Sequence, residues 1–156
     1  MIEIEIPGRS TIQAEALVLD YNGTLAIDGV MIQGVRKRLI SLASKIRIFI
    51  ITADTFGKAK ENLKGIDCQL TILESDNQQR QKAEFIKNLG IEGVIAIGNG
   101  LNDSLMLKNA TLGIGMIQIE GASLQTLLSA EIISNNILDA LDLLISPLRI
   151  TATLRN

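Results

Sequence analysis

The chain has no histidine and no tryptophan, a single cysteine (Cys68), and only 3% aromatic residues. Without histidine, Ser-His-Asp and Cys-His nucleophilic catalysis are excluded, as is zinc held by imidazole. One thiol can form neither an internal disulfide nor a multi-thiolate metal site, so Cys68 is expected as a small buried hydrophobe. Charge is balanced: 15 basic residues against 17 acidic ones leave a net −2, with no long block of either sign. No nucleic-acid partner and no membrane partner is therefore expected. No apolar run nears the roughly eighteen residues a bilayer span requires. The opening MIEIEIPGRS lacks the basic start and apolar block of a signal peptide. A soluble protein of a reducing, cytoplasmic compartment is the default expectation.

What is present is aliphatic. At 156 residues and 47% hydrophobic content, the chain is read as one domain, residues 1–156, able to bury a core without disulfides or metal staples. That core must be built from Ile, Leu, Val and Ala, which suits a parallel sheet covered by helices. Residues 2–6 alternate apolar and acidic, stop at Pro7-Gly8 and read as a strand hairpinned onto 10–14. The core, 15–145, then alternates. Strands are expected at 15–20, 46–52, 68–73, 93–98, 111–116 and 130–133. Helices are expected near 32–44, 55–64, 76–89, 101–109, 122–128 and 136–145, with Asp54 or Thr55 capping the second and Ser75 or Asp76 the third. This alternation predicts a doubly wound, Rossmann-like α/β fold with a parallel sheet and helices on both faces.

Such sheets bind ligands beyond the carboxyl ends of their strands. Three of those ends are rich in small, polar and acidic residues: Asp20-Tyr21-Asn22-Gly23-Thr24, Thr52-Ala53-Asp54, and Gly98-Asn99-Gly100-Leu101-Asn102-Asp103. Lys82, in the helix before the fourth strand, can reach the same edge, with Lys87 its nearest rival. Together they describe a site for an anion and a cation. Simpler motifs fail. In GNGLND the third glycine of a dinucleotide fingerprint would fall on Asp103, and Gly57-Lys58 is followed by Ala59, not by the Ser or Thr of a phosphate loop. The spacing in DYNGTLAIDG does not suit an EF-hand.

The set that fits resembles the haloacid dehalogenase superfamily, in particular the phosphorylation domain of P-type ATPases and its soluble stand-alone relatives. Its first motif, D-x-[D/T]-G-T, reads Asp20-Tyr21-Asn22-Gly23-Thr24; the second, a strand ending in Thr or Ser, reads Thr52-Ala53-Asp54. The third is a helix lysine, matched by Lys82, and the fourth, G-D-G-x-N-D, is matched by residues 98–103 with Asn99 in place of Asp. The resemblance implies an Mg²⁺-dependent phosphohydrolase or phosphotransferase acting on a phosphorylated substrate through an aspartyl-phosphate on Asp20. Asn22, Thr52 and Lys82 complete the implied catalytic set. Phosphoryl oxygens would be held by Thr52, Ala53, Asn102 and the backbone amides near Gly23 and Thr24. Mg²⁺ would be held by Asp20, the backbone carbonyl of Asn22, Asn99 and Asp103, with Asp54 helping from the side.

Two acids of that pattern are amides here. Asn22 can neither protonate a leaving group nor deprotonate water, help that is typically worth about 10²–10⁴-fold; a slow enzyme is expected, best suited to good leaving groups. Asn99 offers an oxygen without charge, so Mg²⁺ binding is expected to be weak. Both amides precede glycine, the dipeptide in which deamidation would restore the acids. The alternative is a catalytically impaired relative, a module binding phosphate or a partner protein. Neither the stretch from Asp20 to Thr52 nor that from Thr52 to Lys82 holds a cap domain. An open site suits a macromolecular substrate, or a second copy of the chain in a homo-oligomer serving as the lid.

Overall fold

The computed structural model describes residues 1–54 and 57–156. It opens with a hairpin of β1 (Ile2–Ile4) and β2 (Ile12–Ala14), followed by β3 (Ala16–Asp20). A small second hairpin, β4 (Ala26–Ile27) and β5 (Val30–Met31), leads to α1 (Val35–Ala43), β6 (Arg47–Thr52), α2 (Ala59–Asn62), β7 (Gln69–Ile72), α3 (Gln78–Asn88) and β8 (Val94–Gly98). A single 3₁₀ turn (Leu101–Asp103) runs into α4 (Ser104–Asn109). The chain closes with β9 (Leu112–Met116), α5 (Leu124–Leu128), β10 (Ile132–Ser134), α6 (Ile137–Ile145) and α7 (Leu148–Leu154).

Six strands form one sheet in the order β10-β9-β8-β3-β6-β7, with every neighbouring pair parallel. The doubly wound α/β expectation holds, and so does the N-terminal hairpin. The strands are legible because they are buried on both faces: all five residues of each of β3, β8 and β9 are buried. Alternate side chains feed two cores. Leu17 and Leu19 join Ile48, Ile50, Ile95 and Ile97 on the face covered by α1, α6 and the N-terminal hairpin. Ala16, Val18 and Ala96 face the other way, toward Ile86 of α3 and Met106 and Leu107 of α4. The small residues on that side let α3 lie close to the sheet.

Sheet order decides where the site can be. From β3 the chain first winds to β6 and β7, then returns to β8 on the opposite flank, so the winding reverses between β3 and β8. The crevice outside the carboxyl ends at such a reversal is the natural ligand position. Asp20 pairs with Ile51, and Leu19 with Ile97, which sets Asp20, Thr52 and Gly98 within one residue of a common level.

Several boundaries differ from expectation. The helix near 55–64 is only Ala59–Asn62, capped by Asp54, whose Oδ1 accepts from the Lys58 and Ala59 amides at 3.1 Å each. The other candidate cap, Thr55, lies outside the described residues. Neither Ser75 nor Asp76 caps α3, which starts behind Asn77 in the left-handed region at φ 53° with no side-chain cap. The helix expected at 101–109 begins as a tight 3₁₀ turn because the Asp103 carboxylate draws in the amides of Asn99 and Gly100. The β4–β5 hairpin and α7 are additions. Among the described residues, no helix is long and apolar enough to cross a membrane.

Candidate active site

The rear of the site is ionic. Lys82 sits one helical turn before Ile86 on the sheet-facing side of α3, so packing Ile86 draws the lysine inward with it. Lys82 is 1% exposed, and its Nζ lies 2.6 Å from both Asp20 Oδ1 and Asp103 Oδ1. Lys87 is exposed and belongs to a different depression, beside Gly90 and Glu92. Burial opposes the Lys82 ammonium, but the two carboxylates outweigh it and hold its pKa well above the usual lysine value. One cation cannot neutralise two anions. Burial, and then the Asp103 charge, push Asp20 from the usual 3.8 up to about 6, against the opposing pull of Lys82 and the Thr24 hydrogen bond.

Asp103 is fully buried and fully engaged. Its Oδ1 meets Lys82, and its Oδ2 accepts the Asn99 and Gly100 amides at 3.0 Å each. The expectation that Asp103 ligates a metal is therefore corrected: its oxygens close the fourth-motif turn and anchor the lysine, and it does not line the cleft. Gly98 is what lets it do so. A Cβ at that position would stand 2.5 Å from Asp103 Cγ and Oδ2.

In front of this wall lies a cleft of about 150 Å³, lined by Asp20, Asn22, Thr52, Ala53, Gln78, Asn99, Gly100, Asn102 and Glu120. Thr52 Oγ1 accepts from the Asp54 amide at 2.9 Å and from Asn22 Nδ2 at 3.4 Å, which leaves its own proton to point outward. Asn102 donates to Gln78 Oε1 at 2.8 Å, so α3 steadies that side. Thr24 is buried, and its hydroxyl lies 3.2 Å from Asp20 Oδ2 and 3.3 Å from Asn99 Oδ1.

The first-motif loop is arranged differently from expectation. The Gly23 amide donates to Ala26 O at 2.8 Å and the Thr24 amide to Tyr21 O at 3.2 Å. Both are used up inside the loop, so the expected phosphate contacts from Gly23 and Thr24 backbone amides are corrected. The same bonds resist deamidation: the Gly23 and Gly100 nitrogens, which would have to attack the preceding asparagines, are each tied to an acceptor. Asp54, occupied with capping α2, does not reach the cleft wall.

Do these groups suit a magnesium ion? Among the described residues no cluster of three acidic, Cys or His side chains stands ready-made. Yet the Asn22 backbone carbonyl accepts no hydrogen bond among the described residues, and its Oδ1 is buried without a partner. With the Asp20 carboxylate and Asn99 Oδ1 they make a set of hard oxygens. Mg²⁺ is commonly held by one or two carboxylates, waters and the substrate's own phosphate. The donors fit such an ion, with little protein charge to hold it alone.

Two cleft residues were not anticipated, Gln78 and Glu120. Glu120 had a legible signal: it lies just past the carboxyl end of β9, the same rule that singled out the other three strand ends. Its carboxylate Oε2 comes within 2.5 Å of where a Cβ on Gly23 would stand. Gly23 has φ 81° and must remain bare there.

Comparison with known proteins gives a consistent picture. No family model matches the chain. It is 56% identical to the uncharacterised protein MJ0073 of Methanocaldococcus jannaschii over 63 residues, 40% of this chain and 68% of that one. The structure superposes on a HAD-family chain from Streptomyces avermitilis with TM-score 0.63 and 17% identity, covering 78% of this chain and 76% of the other. It also superposes on the 3-deoxy-D-manno-octulosonate 8-phosphate phosphatase of Moraxella catarrhalis, solved with magnesium and phosphate, with TM-score 0.65 and 18% identity over 89% and 90% of the two chains. The chain belongs to the family of MJ0073, and its fold is that of the haloacid dehalogenase superfamily.

Proposed function

We propose that the protein is a phosphohydrolase or phosphotransferase that works through an aspartyl-phosphate on Asp20. The observation that carries this reading is the setting of Asp20. It is a carboxylate only 6% exposed, ending the central strand on the floor of a polar cleft, with one oxygen held by a buried lysine. In the reaction a carboxylate oxygen of Asp20 forms a bond to phosphorus as the bond to the leaving oxygen breaks. Lys82 offsets the charge that gathers on Asp20, and the outward proton of Thr52 and the amide of Asn102 donate to phosphoryl oxygens. Asp20, the Asn22 carbonyl and Asn99 would hold Mg²⁺, which supplies positive charge to those oxygens when bound.

Asn22 stands where a proton donor would be useful, and an amide cannot serve. The leaving group departs unprotonated, which favours acyl or aryl phosphates over alkyl ones. The size of the cleft adds a second restriction. At about 150 Å³ it is well below the roughly 300–1,000 Å³ of sites that engulf a metabolite. It grips a phosphoryl end and leaves the remainder of the substrate outside, consistent with a macromolecular substrate or with a second copy completing the wall.

Turnover of acetyl phosphate and p-nitrophenyl phosphate with Mg²⁺ tests this, with Asp20→Ala as the reference. Slow turnover that vanishes in the variant is the expected result. Equal inertness of both proteins, with beryllium fluoride leaving the melting temperature unmoved, would favour a partner-binding module, the reading that the amides at 22 and 99 support.

A further inference from the structure

Resting on that reading of Asp20 as a cation-assisted phosphoryl site, we infer that Glu120 provides the cation with the negative charge that position 99 does not, the acid having moved from the end of β8 to the turn after β9. Three observations converge on it. The first is how firmly the turn is held. Residues 118–121 close on the Gly121 amide donating to Gln118 O at 2.7 Å. Gln118 Nε2 donates to the carbonyls of Gly23 and Thr24 at 2.7 and 2.8 Å, and its Oε1 accepts the Ile137 amide at 3.0 Å. The loop that presents Glu120 is thus bolted to the first-motif loop.

The second is what Asn99 does with its amide. Asn99 Nδ2 donates to Gly121 O at 3.1 Å, and the Ser123 amide returns a bond to Asn99 O at 2.9 Å. An aspartate at 99 has no side-chain donor and would face that carbonyl with like partial charge. The amide therefore anchors the very turn that carries the carboxylate. Glu120 Oε2 and the Asn99 side chain meet in the notch over Gly23, within 2.5 and 2.9–3.0 Å of the missing Cβ.

The third is charge. Among the described residues, no lysine, arginine or hydrogen-bond donor engages the Glu120 carboxylate. It lines the same cleft as Asp20 and the unpartnered Asn22 Oδ1. Against the single positive charge of Lys82, which meets Asp20 and Asp103, the cleft and its rear wall carry three carboxylates, Asp20, Asp103 and Glu120. That leaves two negative charges uncompensated, which is what one divalent cation neutralises.

Binding of Mn²⁺ alone to the full chain, followed by calorimetry and by the spin-resonance signal of the free ion, tests the assignment without reference to turnover. Glu120→Gln is expected to weaken Mn²⁺ at least about tenfold, within the range seen for groups that support a metal. Asn99→Asp added to Glu120→Gln is expected to regain most of that loss, and Glu92→Gln, at the opposite end of the sheet, to change nothing. Asp20→Asn is expected to remove binding. If Glu120→Gln binds like the wild type while Asp20→Asn does not bind, Glu120 is idle and the inference falls alone. Equal weakening by Glu92→Gln would also overturn it, as an effect of net charge. No Mn²⁺ binding by the wild type, or no loss in Asp20→Asn, would overturn the cation site itself and the inference with it.

Discussion

The two walls of the cleft are built on opposite principles. At the rear, Asp20, Lys82 and Asp103 are buried, short-bonded and saturated: Asp103 has a partner on each oxygen and Lys82 bridges two strands' ends. At the front, Asn22 Oδ1 is buried without a partner, Asn99 Oδ1 has only the hydroxyl proton that Thr24 shares with Asp20, and Glu120 stands exposed. A saturated network spends its interactions on holding a geometry, whereas unmatched polar groups cost stability until something binds to them. The rear wall should therefore answer to changes in folding energy and the front wall to changes in ligand or rate.

The largest expected effect lies at the rear. Lys82→Met keeps the length of the side chain and removes its charge, leaving two buried carboxylates facing each other. Breaking a buried ion pair from one side costs about 3–5 kcal/mol, so urea unfolding at pH 7 should show a loss of that order. A loss below 1 kcal/mol would mean that the triad carries little structural weight and that the contrast between the walls is unfounded.

Asp20→Asn tests the same wall with the opposite sign. An acid whose pKa is raised on folding binds its proton more tightly in the native state, so stability falls as pH rises from the unfolded value of 3.8 to the folded value of about 6. Above pH 6 the whole penalty is present. The asparagine variant never ionises and still leaves Lys82 paired with Asp103. It should be more stable than wild type by about 1–3 kcal/mol at pH 8, with the advantage gone near pH 4. Thermal melts across that range provide the measurement. A variant less stable than wild type at pH 8 would show that the Lys82–Asp20 bond is worth more than the repulsion between the two acids.

How much of this was legible in the sequence follows the same division. The sheet was readable because runs such as ALVLD, with few polar interruptions, suit strands buried on both faces, and Asp20, Thr52 and Asn99 were readable because each ends such a run. Lys82 was readable by its helix position, since Ile86 one turn later faces the sheet. The role of Asp103 was not, because it depends on which way the Asn99 and Gly100 amides point once the turn has closed. Nor were the Gly23 and Thr24 amides, whose acceptors lie within their own loop. The two-residue strands β4 and β5 are too short to leave a periodicity. Glu120, one of 17 acidic residues, was legible only as a residue just past the carboxyl end of β9; that its turn lies against Gly23 follows from the fold.

The front wall yields the smaller effect and the sharper test. Asn22→Asp puts a carboxylate oxygen where Nδ2 now donates to Thr52 Oγ1, and the Thr52 hydroxyl proton is free to donate to it, while the buried Oδ1 stays as it is, without a partner. Unfolding free energy should therefore change by less than about 1 kcal/mol, the ordinary scale of a partly exposed substitution. Turnover of p-nitrophenyl phosphate should rise by about tenfold or more, toward the range of general acid–base help, with a larger gain for an alkyl phosphate, whose leaving group needs the proton most. Asn99→Asp is no equivalent change, since it also removes the bond to Gly121 O that holds the Glu120 turn. If Asn22→Asp destabilises as much as Lys82→Met and leaves turnover unchanged, the front wall is structural after all. The limit on rate would then lie in how the substrate reaches a cleft this small.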